Sequence, residues 1–175
     1  GSVKVDNNLI KINSISLEED AARKINETKE YIIYRLDRLG IPLIEISTDA
    51  NIKTPEEAKE VAAYLGMVLD STGKLKNILG AIRQDVNVSI AKGARTEIKG
   101  VQELSLIPIV IKNEIERQIN LIKQGKKPKP EVRAANEDGT TRFLRPLPGA
   151  SRMYIETDIP SIKTRDLIKN IKIPK

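Results

Sequence analysis

The residues best suited to chemistry lie between Arg83 and Lys99, in the stretch RQDVNVSIAKGARTEIK. Polar and apolar residues alternate on both sides of a short turn at 91–94, which predicts two strands with side chains on opposite faces. One face of this hairpin would carry these ionic, amide and hydroxyl groups: Arg83, Asp85, Asn87, Ser89, Arg95, Glu97 and Lys99. Such a face suits phosphate and a hard metal ion, but a solvated sheet surface has the same composition, so both interpretations stay open.

The composition narrows the chemistry that this face could perform. The chain contains no histidine and no cysteine, so it lacks the most common general base, a thiol nucleophile and the usual transition-metal ligands. Reactions would depend on carboxylates, lysine, arginine, hydroxyl and backbone groups, and the metal to expect is magnesium. With one Phe, four Tyr and no Trp, base stacking is not expected to be the main binding mode.

The charge favours a polyanionic partner. The net charge is +6, from 30 basic and 24 acidic residues, which suits RNA or nucleotide phosphate. Many charges of both signs are also typical of thermophilic proteins, and this second interpretation has equal weight. The sequence has no long apolar run, no signal peptide and no cysteine, so we predict a cytoplasmic protein without a membrane partner.

Several predicted strands precede the hairpin. Alternation predicts a strand pair over 3–20, with a turn at 6–8, and further strands at 28–36 and 42–48. The strand pair ends in the acidic run Glu18-Glu19-Asp20, which is either a solvated strand end or part of a magnesium or phosphate-metal site. Glu45 lies between apolar neighbours in the strand at 42–48, so we expect its carboxylate to be paired or functional.

Two helices are predicted. The first begins at a capping box, with Thr54 as N-cap and Pro55 at the first helical position, and ends at 71–73. The second would be capped by Ser105 and continue to about Gln124. Its apolar stripe would consist of Ile107, Ile111, Ile115, Ile119 and Ile122.

The domain organisation follows from these elements. Gly1-Ser2 resembles a tag remnant, 3–125 would be the first part of one domain, 126–130 a basic, proline-rich connector, and 131–175 the second part. The second part would hold a hairpin with its turn at 136–139, a short strand at 152–157 and a helix at 164–171. We predict an α+β fold, mainly antiparallel sheet, with two main helices packed on one side.

Six segments, in order along the chain, match motifs that occur together. They are LEEDAARK (17–24), RLGIPLIEISTD (38–49), IRQDVNVSI (82–90), EIKGVQEL (97–104), ERQ (116–118) and RPLPGASRMYIETDIP (145–160). These segments resemble the cradle domain of the GatB/GatE family of tRNA-dependent amidotransferases, which has a glutamine-synthetase-like fold, and their spelling is similar to that of the archaeal members.

The resemblance implies an ATP-dependent kinase activity with Mg²⁺. In the family, the side chain of glutamate mischarged on tRNA(Gln) is activated as γ-glutamyl phosphate, and ammonia from an asparaginase-like amidase, the D subunit of the complex, then gives Gln-tRNA(Gln). The implied catalytic residues are Glu19, Glu97, Arg83 and Lys99. The implied nucleotide or substrate contacts are Asp85, Asn87, Ser89, Arg95 and Arg152. The implied metal ligands are Glu18, Glu19, Asp20, Glu97 and Glu45.

The chain departs from the family pattern in several respects. It lacks the histidine of the family's N-terminal strand, and the connector at 126–130 leads directly to Glu131, where archaeal members insert a further domain before the RPLPGA segment. Ile155 replaces an expected proline, and the tRNA-gripping domains that follow the cradle in the family are absent after Lys175. We therefore expect a tagged fragment that is inactive alone. The alternative is a non-catalytic module that binds tRNA or docks the amidase partner.

Overall fold

The computed structural model describes residues 1–5, 8–76 and 80–147, together with 165, 168 and 169. The chain divides into two compact units, Gly1–Lys53 and Thr54–Lys175. Both contain sheet, pairing is mainly antiparallel, and two helices are present in the described residues. The predicted α+β class is confirmed.

The first unit is built from strands. In its described residues these are β1 (Ser2–Val5), β2 (Asn8–Glu19), β3 (Arg23–Glu27), β4 (Ile32–Arg35) and β5 (Pro42–Thr48). β2 is the central strand of an antiparallel sheet between β1 and β5, and β3 pairs with β4 in a separate hairpin. The strand pair over 3–20 and the strand at 42–48 are confirmed.

The strand predicted at 28–36 is shorter than expected. The Thr28 hydroxyl accepts hydrogen bonds from the backbone N–H groups of Glu30 and Tyr31, which makes a turn before β4 begins. β3 was not predicted, because RKINE contains a single apolar residue and shows no alternation.

The second unit combines both helices with a four-stranded sheet. Its elements are α1 (Pro55–Ser71), β6 (Val86–Val88), β7 (Thr96–Lys99), α2 (Leu106–Lys123), β8 (Glu131–Ala135) and β9 (Thr141–Pro146). The strand order is β6-β7-β8-β9, and β7 and β8 run parallel while the other pairs are antiparallel. α2 is the crossover that a parallel pair requires.

The core of this unit lies between the helices and one face of the sheet. Its buried members are Val88, Ile98, Val101, Ile107, Val110 and Ile111, and Ala58 and Ala62 of α1 pack against them. Val86 and Ile98 are paired across β6 and β7 and so share this face. Both helices therefore cover the apolar side, as predicted, and the alternate residues of β6 and β7 point to the other side.

The two helices begin differently. The Thr54 hydroxyl accepts a hydrogen bond from the backbone N–H of Glu57 at 3.1 Å, as the capping box predicted. The prediction that Ser105 caps α2 is wrong, since its backbone is already helical and its hydroxyl forms no cap bond. The carbonyl groups of Glu103 and Leu104 accept the N–H groups of the next turn instead.

The stripe predicted for α2 is only partly correct. Ile107 and Ile111 are buried, but Ile119 is 38% exposed. The buried face continues through Glu114 and Gln118 instead, at the same helical spacing. An interpretation that counts apolar residues alone misses polar residues on a buried face.

The segment after α2 follows the predicted order. The connector at 126–130 is neither helix nor strand, and the hairpin of β8 and β9 turns at 136–139, where Gly139 has a φ of +82°. The strand predicted at 152–157 and most of the helix predicted at 164–171 lie outside the described residues. Neither helix in the described part of the chain is long and apolar enough to cross a membrane.

Candidate functional site

The hairpin predicted over 83–99 has the expected two faces. Asn87 of β6 is paired with Glu97 of β7 on one face, and the neighbouring pair points into the core. The strands are shorter than predicted, because β6 covers only Val86–Val88 and the connection to β7 is longer than a four-residue turn. Asp85, Glu97 and Lys99 nevertheless lie together, and we call the surface that they form with Asn87 and Arg95 the ionic face.

Lys99 links two carboxylates on the ionic face. Its Nζ lies 2.7 Å from Asp85 Oδ2 and 2.6 Å from Glu97 Oε1. The backbone N–H of Gly100 donates to the other oxygen of Asp85 at 3.4 Å. Burial lowers the pKa of Lys99, but the hydrogen bonds to Asp85 and Glu97 outweigh it, so the pKa is raised above its ordinary value.

The remaining predicted residues of the hairpin are Asn87, Arg95, Arg83 and Ser89. Arg95 Nε donates to Asn87 Oδ1 at 3.1 Å, so the amide oxygen of Asn87 points along the same face. Arg83 and Ser89 lie just outside the two ends of β6, in backbone that is not strand. Arg152 lies outside the described residues.

Two arginines extend the ionic face and were not among the predicted site residues. Across β7, β8 and β9, Lys99 is paired with Ala134, and Ala134 with Arg142. In the same way, Glu97 is paired with Val132, and Val132 with Arg145. Paired residues on neighbouring strands point to the same side of a sheet, so Arg142 and Arg145 lie on the side of Glu97 and Lys99. Both arginines are exposed, and neither forms an ion pair with the described residues.

A buried amide holds the loop between β6 and β7. Gln118 of α2 is fully buried, and its Nε2 donates to the Ala94 carbonyl at 3.0 Å, to Thr96 Oγ1 at 3.2 Å and to Glu114 Oε1 at 2.7 Å. The backbone N–H of Ala94 donates back to Gln118 Oε1 at 2.9 Å. The loop is therefore fixed to the helix at the residue immediately before Arg95.

The amide leaves no room for a side chain at Gly93. A Cβ atom there would lie 2.2 Å from Gln118 Oε1 and 2.6 Å from Ile90 Cγ1. Both distances are far below van der Waals contact. Glycine at this position is what allows the loop to approach α2 so closely.

Glu114 joins this amide to a chain of ion pairs. Arg117 donates twice to the Glu114 carboxylate, at 2.7 and 2.8 Å, and also lies 2.7 Å from Glu131 Oε1. Burial raises the pKa of Glu114, but hydrogen bonds from Arg117, Gln118 and Thr96 outweigh it and hold the pKa below its usual value. Glu114 is thus a buried, ionised carboxylate with one charged partner, Arg117.

The chain of ion pairs continues across the sheet. Arg133 Nη1 donates to Glu131 Oε1 at 2.9 Å, and its other nitrogens donate to the hydroxyl and carbonyl of Thr141 at 2.6 and 2.7 Å. These bonds connect α2, β8 and β9, so they fix the strand that carries Arg142 and Arg145. The ERQ segment contains Arg117 and Gln118 of this network, but the motif alone does not show the network. The sequence signal for it is polar residues that recur at helical spacing on the buried side of α2.

The side chains of the acidic run, Glu18, Glu19 and Asp20, do not share one face of the sheet. Ser16 pairs with Glu45 and Glu18 pairs with Leu43, so Glu18 and Glu45 are diagonal neighbours on one face. Glu19 is the next residue and points to the opposite face. A ligand on one face of this sheet would therefore meet Glu18 or Glu19, but not both.

Asp20 lies beyond the end of β2. Its Oδ2 accepts a hydrogen bond from Arg38 Nε at 2.8 Å, which connects the strand end to the turn before β5. The expectation that Glu45 is paired or functional stays a prediction; its side chain is exposed and in contact with other groups.

The donor set of the ionic face fits magnesium. Among residues 1–5, 8–76 and 80–147, no three acidic side chains lie close enough to hold a metal ion by themselves. Protein-bound Mg²⁺ commonly has only one or two carboxylate ligands and completes its shell with water and phosphate oxygens. Asp85 and Glu97 match that requirement. The expectation that Glu19 shares a metal with Glu97 would join the two units and stays a prediction.

The sequence matches a known family over almost its whole length. The family model described as the GatB/GatE catalytic domain matches residues 1–169. The chain belongs to the GatB/GatE family.

Archaeal relatives extend this result. The chain is 58% identical over 122 residues to the E subunit of glutamyl-tRNA(Gln) amidotransferase from Methanosarcina barkeri, a match that covers 70% of this chain and 19% of the relative. The corresponding protein of Pyrococcus horikoshii is 56% identical over 185 positions, covering 100% of this chain and 27% of the relative. That of Archaeoglobus fulgidus is 31% identical over 303 positions, covering 100% of this chain and 49% of the relative.

The chain is much shorter than the relatives that it matches. The chain spans between about a fifth and about a half of the relatives that it matches. The alignment with the Archaeoglobus protein is much longer than this chain of 175 residues. That relative therefore contains stretches that this GatB/GatE chain lacks. The predicted site of a missing insert, at 126–130, stays a prediction.

Proposed function

We propose that this chain is part of the ATP-dependent activating domain of a glutamyl-tRNA(Gln) amidotransferase. In the first step, a side-chain carboxylate oxygen of Glu-tRNA(Gln) attacks the γ-phosphorus of ATP, and γ-glutamyl phosphate and ADP result. In the second step, ammonia attacks the acyl carbon, phosphate leaves and Gln-tRNA(Gln) results. The ammonia would come from an asparaginase-like amidase, the D subunit of the complex. The names of the archaeal relatives support the amidotransferase part of this proposal.

The observation that carries the proposal is the arrangement of Asp85, Glu97 and Lys99 on one sheet face. Phosphoryl transfer needs accurate positioning and stabilisation of negative charge more than it needs a nucleophilic side chain. A face of carboxylates, lysine and arginine meets that need in a chain without histidine or cysteine.

The roles follow from charge and position. Asp85 and Glu97 would hold Mg²⁺, with the Asn87 amide oxygen beside them. The metal would supply positive charge that neutralises the phosphate oxygens. Arg142 and Arg145 lie one strand beyond β8, about 10 Å from β7 at the usual strand spacing, and would bind the phosphate groups further along the nucleotide.

The network on the other side of the sheet would position this site. Gln118 and the ion pairs of Glu114 and Arg117 form bonds to the loop before β7 and to β8. Groups held in this way need less reorganisation when charge develops during the reaction. The predicted roles of Glu18, Glu19, Asp20 and Glu45 in the first unit stay predictions; a metal ion on one sheet face could use either Glu18 with Glu45 or Glu19.

Calorimetric titration of the 175-residue chain with Mg·ATP tests the proposal. Glu97→Gln and Asp85→Asn should each weaken binding at least tenfold, because each removes one carboxylate beside the metal. Glu60→Gln is the matched control, since Glu60 is an exposed carboxylate on α1, and should leave the affinity unchanged. Equal binding by all variants would contradict the proposal.

The alternative, a tRNA-binding or scaffold module, predicts a different result. The net charge of +6 favours this alternative, because positive charge alone supports sequence-independent binding to the phosphates of tRNA. It would be supported if the chain bound tRNA with a steep salt dependence and bound no nucleotide at any metal concentration.

A further inference from the structure

The ammonium group of Lys99 lies where two carboxylates from separate segments converge. Asp85 precedes β6 and Glu97 belongs to β7, yet an oxygen of each lies within 2.7 Å of the same nitrogen. Because both oxygens contact one atom, they must lie close to each other. The face therefore already contains a cation position with two acidic neighbours.

In the contacts of Lys99, one ammonium group faces two carboxylates. The two carboxylates carry two negative charges, and the lysine supplies one positive charge. Arg95, another cation of this face, donates to the uncharged Asn87 amide instead. A divalent cation would match the two carboxylates fully, and it prefers their oxygen atoms as ligands.

Lys99 is also able to leave. Its side chain is 40% exposed, and lysine carries a compact charge on a flexible stem of four carbons. Arg117, by contrast, is locked to Glu114 by two hydrogen bonds in a fixed fork. The lysine therefore has room and freedom to exchange its partners.

We propose that Lys99 is an internal counter-cation that occupies the position of the divalent metal, so that a metal ion binds to Asp85 and Glu97 only by displacing the lysine. This inference rests on the metal site of the proposed function. The displaced ammonium group becomes available to the phosphate oxygens of the nucleotide. The phosphates in turn stabilise the displaced lysine, so metal and nucleotide favour each other's binding.

The two effects of Lys99 have opposite signs. In the absence of nucleotide the lysine competes with the metal, and removing it should strengthen metal binding. In the presence of nucleotide the lysine binds phosphate, and removing it should weaken the complex. A lysine that only stabilised the fold would produce neither change in this combination.

The decisive experiment is a titration of the 175-residue chain with Mn²⁺ alone. Electron paramagnetic resonance measures the concentration of free Mn²⁺ at each step, from which the affinity is obtained. Lys99→Met keeps the length of the side chain and removes its charge, and should tighten Mn²⁺ binding roughly tenfold. Lys99→Gln provides a second variant. Lys92→Met is the matched control, because Lys92 is exposed in the loop between β6 and β7 and forms no ion pair with the described residues; it should change the affinity less than about twofold.

The outcomes are distinct. Tighter Mn²⁺ binding by both Lys99 variants, lost again when Glu97→Gln is added, supports the inference. Equal affinity of wild type and Lys99→Met, an equal effect of Lys92→Met, or no Mn²⁺ binding by any variant overturns it. A parallel titration with Mg²⁺ and a non-hydrolysable ATP analogue tests the proposed function separately: absence of nucleotide binding would count against that function, while the Mn²⁺ result would still decide the role of Lys99.

Discussion

Replacing Gln118 by leucine tests whether the buried amide network holds the candidate site. Leucine has a similar size and is apolar, so the variant removes hydrogen bonds with little change in volume. Gln118 is fully buried, and its side chain bonds to Ala94 in both directions and to Thr96 and Glu114.

The expected cost follows from those bonds. A buried N–H without a partner costs about 1–3 kcal/mol, and a hydrogen bond to a charged group contributes about 1.5–3 kcal/mol. The loss of the Ala94 and Glu114 contacts is partly offset by the burial of apolar leucine atoms. We therefore expect Gln118→Leu to lower the free energy of unfolding by about 3 kcal/mol, the sum of the first two terms less the third.

Urea denaturation and amide hydrogen exchange measure this effect. With a denaturant slope of about 2 kcal/mol per molar, the midpoint should fall by about 1.5 M urea. The backbone N–H of Ala94 should also lose its protection from exchange. Gln124→Leu is the matched control, because Gln124 is exposed and, among the described residues, its amide bonds only to the Lys126 ammonium group; it should change stability by less than about 0.5 kcal/mol. A midpoint shift no larger than that of the control would refute the reasoning.

Two further predictions concern the same network. Gly93→Ala should cost about 2–3 kcal/mol in urea denaturation, because its Cβ would lie 2.2 Å from Gln118 Oε1. Gly66→Ala in α1 is the control and should stabilise the protein by about 0.5–1 kcal/mol, since the nearest atom to its Cβ would be at an ordinary 3.8 Å. Equal destabilisation by both variants would contradict the close-contact argument. Burial raises the pKa of Glu114, but hydrogen bonds led by the one from Arg117 lower the pKa overall. The ionised Glu114 side chain therefore stabilises the fold above the pKa of about 4.3 that it has in the unfolded chain. This stabilisation is lost as the pH falls through the lower pKa of the folded state. Wild type should therefore lose more stability than Glu114→Gln between pH values of about 6 and about 3, measured by urea denaturation, and parallel curves would argue against an ionised Glu114.

Local sequence was sufficient wherever neighbouring residues determine the structure. The start of α1 depends on Thr54 and the N–H of Glu57 three residues later, and the two faces of β6 and β7 follow from alternation alone. The hairpin turn at 136–139 was predicted from its composition and is present. Each of these depends on residues close together in the chain, so no knowledge of strand pairing was needed.

Interpretation failed where local pattern and burial disagree. On α2 the apolar stripe was extended to Ile119, whereas Glu114 and Gln118 occupy the buried positions. Buried polar groups need partners, and theirs lie in the loop before β7, on β7 itself and on the next turn of the helix. Those partners are up to 24 residues away in sequence, so hydropathy could not identify them.

The sequence by itself determined the family, the residue types of the ionic face and the exclusion of histidine and cysteine chemistry, because these depend only on which residues are present and in what order. Tertiary structure alone decided that Lys99 lies between Asp85 and Glu97, and that the parallel pairing of β7 with β8 brings Arg142 and Arg145 to the same face. The physical reason is the pleat of the sheet: alternation shows which residues share a face within one strand, but only the register between strands shows which side chains meet.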